Sequence, residues 1–427
     1  MPNQFICETK RPVFFEVITI FSKKISLFSL RKIRISCEKN SSHPPVGTVH
    51  SLPRLLVLPS PSLWRVVANW RGVQSSGDPD FDWFSAVGLM GSKDGTGDIS
   101  EAQGYAADID SIREAQARIA PYVHRTPVMS STSIDAMVGK KLFFKCECFQ
   151  KAGAFKIRGA SNSIFALDDE QVSKGVVTHS SGNHAAAVAL AAKLRGIPAH
   201  IVIPRNAPAC KVENVKRYGG HIIWSDASIE SREYVCKRVQ EETGAVLIHP
   251  FNSKYTISGQ GTVSLELLEQ VPEIDTIIVP ISGGGLISGV ALAAKAINPS
   301  IRILAAEPKG ADDSAQSKAA GKIITLPSTN TIADGLRAFL GDLTWPVVRD
   351  LVDDVIVVDD TAIVDAMKMC YEILKVAVEP SGAIGLAAAL SDEFKQSSAW
   401  HESSKIGIIV SGGNVDLGTL WQSMYKH

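Results

Sequence analysis

Between residues 175 and 252 short apolar runs alternate with helical stretches, and this alternation limits the possible fold more than any other feature of the chain. Residues 176–179, 199–203, 221–224 and 246–249 read as strands, and 185–194, 211–218 and 228–242 as the helices between them. Gly196 and the pair Gly219-Gly220 stop two of the helices, and Pro204 ends one of the strands. Runs that are apolar throughout are buried on both faces, and strands joined through helices run parallel. The segment is therefore an α/β unit the size of a small domain.

The same order continues on either side. Residues 109–119 read as a helix stopped by Pro121, 142–149 as a strand and 157–167 as a helix. After residue 253 come a helix at 262–268, a strand at 276–281, a helix at 291–297, strands at 301–306 and 355–358, helices at 362–374 and 383–390, and a last strand at 405–410. With 427 residues the chain has room for two or three domains, and 45% apolar content against 21% charged content supports a large core. Lys+Arg and Asp+Glu both number 44, a balance that argues against nucleic-acid binding and against a polybasic membrane surface. No apolar run has the length of a membrane span. The 7 cysteines have no framework spacing; Cys146 and Cys148 share a strand face with no second pair to complete a zinc site. This usage points to a reducing compartment and a cytoplasmic protein.

Residues 1–89 stand apart. Basic residues (Lys23, Lys24, Arg31, Lys32, Arg34) mix with Pro and Ser clusters, without sustained periodicity. The segment reads as a disordered or non-native extension from an upstream start, with Met90 as the plausible initiator; the alternative is an organelle-targeting peptide. Residues 91–105 read as a polar leader.

Four segments carry chemistry. In Gly153-Ala154-Phe155-Lys156-Ile157-Arg158-Gly159, a lysine sits between apolar neighbours at a strand-to-helix junction. A lysine that loses hydration there has a lowered pKa and becomes a nucleophile or base. Ser282-Gly283-Gly284-Gly285-Leu286 follows a strand and opens a helix, so its backbone N–H groups and the helix N-terminus suit a phosphate. Ser180-Ser181-Gly182-Asn183-His184 and Ser411-Gly412-Gly413-Asn414 also follow apolar runs. Taken singly, these are a surface lysine, a glycine turn, a helix N-cap and a turn serine.

In this order the four segments resemble the pyridoxal-phosphate enzymes of fold type II, tryptophan synthase β-like, and within them the group of serine racemases and serine/threonine dehydratases. The resemblance runs from about Ala106 to the C-terminus. It implies two open parallel-sheet domains with the active site between them. Residues 106–174 and 253–427 form the large domain, 175–252 form a small mobile one, and 1–105 lie outside. It also implies that Lys156 forms the Schiff base with the cofactor aldehyde and then works as a base at the substrate Cα. Phe155, Asn183, Ser282, Gly283, Gly284, Gly285, Leu286 and Ser411 would complete the cofactor site. Ser411, a hydroxyl partner to the pyridine nitrogen, leaves the ring a weaker electron sink than a carboxylate would, which suits racemisation or β-elimination.

By the same resemblance Ser181 stands on the face opposite Lys156 and delivers the second proton of a racemase, where threonine dehydratases often have alanine. Ser180, Ser181, Asn183 and His184 would hold the substrate carboxylate, with Arg232 helping at the carboxylate or the hydroxyl, or standing as a solvated helix charge. Glu307, the Ala311 carbonyl and Asp313 would bind Mg²⁺ or Ca²⁺, hard oxygen ligands for a hard cation. Ser131, Thr132, Lys151, Tyr218, Lys375 and Asn414 match positions that bind ATP between subunits of a homodimer. The chain departs from the pattern at Ala152, Ala186 and Phe251. The expected activity is conversion of L-serine to D-serine, with dehydration of serine to pyruvate and ammonia. The rivals are a threonine/serine dehydratase without significant racemisation and a non-catalytic cofactor-binding regulator.

Overall fold

Parallel strands bring their carboxyl ends to one edge of a sheet, and the segments singled out above leave strands at that edge. The structure, a computed structural model, describes residues 14–16, 32–34 and 104–418, apart from Ser181, Pro208 and Leu417. The chain divides into two units, 1–94 and 95–427. In the first, strands β1 (Phe14–Glu16) and β2 (Lys32–Arg34) pair antiparallel.

The strands of the second unit are, in chain order, β3 (Val128–Met129), β4 (Lys141–Cys146), β5 (Val176–His179), β6 (Ala199–Pro204), β7 (His221–Ser225), β8 (Val246–Leu247), β9 (Thr276–Pro280), β10 (Arg302–Pro308), β11 (Asp354–Val358) and β12 (Lys405–Val410). Six form one sheet, ordered β11-β10-β9-β12-β4-β3, with every pair parallel except β3–β4. Four form an all-parallel sheet, ordered β7-β6-β5-β8.

Successive side chains of a strand point to opposite faces, and β9 illustrates the result. Ile278 joins a core cluster with Ile406, Ile408 and the helix Pro380–Leu390, while Ile277 and Val279 join one with the helices Lys254–Gln270 and Gly285–Ile297. With both faces covered, the strand is apolar at every inner position, as the alternating pattern predicted.

Boundaries differ from the sequence reading where glycine or a change of helix type intervenes. The helix expected at 262–268 starts at Lys254, because Gly259 and Gly261 are contact glycines rather than stops. A Cβ on Gly259 would lie 2.7 Å from the Gly159 Cα, and one on Gly261 2.8 Å from the Gly289 carbonyl oxygen. The helix expected at 362–374 is α-helical over Asp360–Met369 and widens to a π turn at Cys370–Leu374. The strand expected at 142–149 ends at Cys146. Cys148 therefore lies in a 3₁₀ turn, not on a shared strand face.

Candidate active site

Two of the four segments are joined by their backbones. Ala154 bridges Gly412, Phe155 N–H donates to the Ser411 carbonyl at 3.0 Å, and Gly413 N–H donates to Gly153 O at 2.9 Å. Gly153 needs its φ of +73°, and any Cβ there would strike Asn414. The Asn414 amide in turn donates to Ala152 O at 2.7 Å and to Asn183 Oδ1 at 3.0 Å, which brings in the third segment.

The fourth segment is reached through the lysine. Lys156 begins the helix Lys156–Phe165, and its Nζ donates to Pro250 O at 2.9 Å and lies 5.0 Å from the Phe155 ring centroid. The next residue, Phe251, lies against the glycine turn. A side chain on Gly283 would enter its ring, and one on Gly285 would come 2.8 Å from its Cα. The lysine amine is thus held beside the triple-glycine turn. Burial pushes its pKa down to about 8. Gly284 takes φ +84° and caps the helix Gly285–Ile297, whose first-turn N–H groups have no intrahelical acceptor. Ser282 Oγ exchanges hydrogen bonds with Ala338 N and O, and Leu286 is buried.

Other site residues have defined partners. Ser411 is buried and its Oγ donates to Ser381 O at 3.1 Å. His184 sits 2.9 Å through Nε2 from the Ile248 carbonyl, so Nε2 carries the proton and Nδ1, buried without a partner, does not. Ser180 Oγ accepts from Gly182 N–H at 3.4 Å. Arg232 lies on the helix Ile229–Thr243, close enough to His179, at the end of β5, to act on its charge. Ser181 lies outside the described residues.

Two groups that the sequence reading passed over belong here. Glu379 accepts from the Asn183 amide at 2.5 Å, while its Oε2 is buried without a hydrogen-bond partner. Burial raises its pKa to about 7. The only local signal is an acid directly before Pro380, the first residue of a helix. The second group stands behind the lysine. Arg158 is fully buried and donates to Glu147 at 2.7 Å and Glu266 at 2.7 Å, and Glu266 also accepts from the buried Lys145 at 2.6 Å. Arg158 thus ties the helix that begins at Lys156 to the exit of β4 and to Lys254–Gln270.

The residues present fit pyridoxal phosphate. An amine of lowered pKa, a glycine turn at a helix N-terminus and a buried hydroxyl on the next strand supply an aldehyde partner, a phosphate cradle and a ring-nitrogen partner. The candidate cation ligands also fit. Glu307 and Asp313 are buried at the end of β10 and the start of the helix Asp313–Ala320. Glu307 accepts from Ser314 N at 2.9 Å and Ala315 N at 2.8 Å, whereas Asp313 Oδ2 has no partner. Burial pushes Glu307 up to about 7, and burial with Glu307 as neighbour pushes Asp313 up to about 8. Among the described residues no group of three or more His, Cys, Asp or Glu is placed to hold a metal, so the set depends on a third oxygen such as the buried Ala311 carbonyl.

Of the six candidate ATP residues, Asn414 is tied to the site, and Lys151 lies in the turn Lys151–Gly153 beside it. Ser131 caps the helix Thr132–Val138, which Thr132 begins. Tyr218 packs on the core of the four-stranded sheet, and Lys375 adopts φ +60° after the π turn.

The model of the pyridoxal-phosphate dependent enzymes matches residues 119–412. A serine racemase of Oryza sativa subsp. japonica is 90% identical over 338 residues, 79% of this chain and 100% of that protein. The chain belongs to the serine racemase group of the pyridoxal-phosphate dependent enzymes. The solved structure of maize serine racemase is 99% identical, with a TM-score of 0.74 over 76% of this chain and 98% of that one. The family also reaches a beta-hydroxyaspartate dehydratase of Paracoccus denitrificans, 46% identical over 316 residues, 74% of this chain and 99% of that protein. Among the described residues no helix is long and apolar enough to cross a membrane.

Proposed function

We propose that this chain interconverts L-serine and D-serine and also dehydrates serine to pyruvate and ammonia. The observation that carries the reading is the Lys156 amine, lowered to about 8 and hydrogen-bonded at Pro250 O, whose neighbour Phe251 lies on the glycine turn, with the preceding Phe155 N–H bonded to the Ser411 carbonyl. When bound, pyridoxal phosphate supplies an electron sink that makes the substrate Cα–H acidic. Gly283, Gly284, Gly285, Leu286 and Ser282 hold its phosphate, Ser411 its ring nitrogen, and Asn183 with Phe155 its ring.

Lys156 takes or returns the Cα proton on one face, at a pKa close to working pH. Ser181 serves the other face. Ser180, Asn183, His184 and Arg232 hold the substrate carboxylate. His184 serves through its backbone N–H at the helix start, since its imidazole, neutral because burial holds its pKa well below the usual range, already donates Nε2–H to the Ile248 carbonyl. Proton removal at Cα followed by loss of the β-hydroxyl gives the dehydration branch from the same site. Glu307, Asp313 and the Ala311 carbonyl bind Mg²⁺ or Ca²⁺, supported by the burial of the two acids side by side and by the Asp313 Oδ2 that makes no hydrogen bond. Cysteine usage supports a cytoplasmic location, and the resemblance alone supports a homodimer with ATP at Ser131, Thr132, Lys151, Tyr218, Lys375 and Asn414, and closure of residues 175–252 over substrate.

The test feeds L-serine in D₂O and looks for deuterium at Cα of D-serine. The Ser181→Ala variant should lose D-serine formation and keep part of the dehydration; equal loss of both, or of neither, removes the two-face mechanism. Pyruvate without D-serine would make the chain a dehydratase, and bound cofactor without turnover would make it a regulator.

A further inference from the structure

We infer that His249 is a positioning residue for the glycine turn, acting through Nδ1 of its imidazole as a hydrogen-bond acceptor. This rests on the reading of Gly283–Gly285 as the phosphate cradle. Nδ1 lies 2.8 Å from the backbone N of Asn252 and 3.3 Å from that of Phe251. Backbone N–H groups only donate, so Nδ1 carries no proton and the ring proton sits on Nε2. The two bonds bend residues 249–252 into a turn, with the His249 and Phe251 rings edge to face at 4.7 Å.

That turn serves both halves of the site. It presents the Pro250 carbonyl to the Lys156 amine and lays Phe251 on Gly283 and Gly285. It also aims Asn252 outward, where its amide donates to Asp342 at 2.5 Å and its Oδ1 accepts from Leu343 N–H at 3.0 Å. Two residues on, Thr344 Oγ1 donates to the Gly283 carbonyl at 2.8 Å. The imidazole is the first link of a chain that grips the glycine turn from outside.

The surroundings keep the acceptor available. Burial pushes the His249 pKa down to about 4, His179 and Lys156 oppose a further positive charge, and Asp342 favours it. His179 lies 6.3 Å away, ring to ring. The linkage therefore holds at and above neutral pH and fails only in acid.

The experiment compares holoenzymes of the parent, His249→Asn, His249→Phe and His249→Ala. Asparagine places Oδ1 as far from Cβ as histidine places Nδ1, so it keeps the acceptor; phenylalanine keeps the ring and removes it. Each protein is dialysed against cofactor-free buffer while the absorbance of bound pyridoxal phosphate is followed, and kcat and KM for L-serine are measured. H249N should retain cofactor like the parent. H249F and H249A should lose it about tenfold faster or more, with kcat falling further than KM rises. H249N as leaky as H249F, or H249F as retentive as the parent, overturns the inference. Should H249F not fold, Asn252→Ala cuts the same chain from a half-buried side chain; parental retention in N252A overturns the inference equally. A parent that holds no cofactor at all fails the functional reading instead.

Discussion

Arg158 and Asp313 are both sealed from water, yet one sits among opposite charges and the other among its own kind. Around Arg158 and Lys145, the carboxylates of Glu147 and Glu266 stand within 2.7 Å, and Thr126 completes Glu147 with a bond of 2.6 Å. The cluster is neutral as it stands and its hydrogen bonds are made, so it asks nothing of solvent or ligand. Around Asp313 the charged groups that act on it are Glu307 and Asp312, both acids, opposed only by the backbone N–H groups of Asp313 and Leu340, and one of its oxygens has no partner. Buried charge that is matched within the chain is architecture. Buried acids that are left unmatched mark a place for something the chain does not encode.

The comparison can be broken at either end. Arg158→Met should have the largest effect, because it strands two buried carboxylates; about 3–5 kcal/mol of stability should go, read by chemical denaturation. A loss under about 1 kcal/mol would mean that the quartet is not tightly coupled. At the other end, saturating Mg²⁺ or Ca²⁺ should stabilise the parent by about 2.7 kcal/mol at a hundredfold excess over Kd, and Asp313→Asn should abolish that gain while raising cation-free stability. An unchanged cation effect in D313N would place the ion elsewhere.

The pH dependence sharpens the contrast. Glu307 and Asp313 have folded pKa values of about 7 and about 8, above the ordinary carboxylate range near 4. Below that range both states are protonated and the pair is neutral to stability. As pH rises, the unfolded chain releases its protons first, so cation-free stability should fall between about pH 4 and pH 8 and level off above. Added cation should flatten this slope; a slope that persists with cation, or is absent without it, contradicts the assignment. The smallest effect is expected at the exposed pair Arg113–Asp110, 3.2 Å apart, where Asp110→Ala should change stability by no more than about 0.5 kcal/mol.

What the sequence made legible was local. The triple glycine, Asn183 and Ser411 follow the carboxyl ends of β9, β5 and β12 within a few residues, and Lys156 follows β4 after two short turns. The alternation of strand and helix likewise gave the parallel sheets. The misses are pairings across the chain: Asn183 meets Glu379, Lys156 meets Pro250 and Arg158 meets Glu266 only because distant elements pack together. Gly259 shows the same limit in another form. It lies outside the helix expected at 262–268, and only the approach of Gly159 reveals it as a contact point within a longer one.

β12 is the last strand among the described residues, yet it lies between β4 and β9 in the middle of its sheet. During synthesis the gap between those strands stays open until β12, made after both of them, has emerged. The strand carrying Ser411 therefore closes the sheet and completes the site in one late event. Until then the nascent chain exposes unpaired edges on both sides of the gap, which makes it a natural client for chaperones.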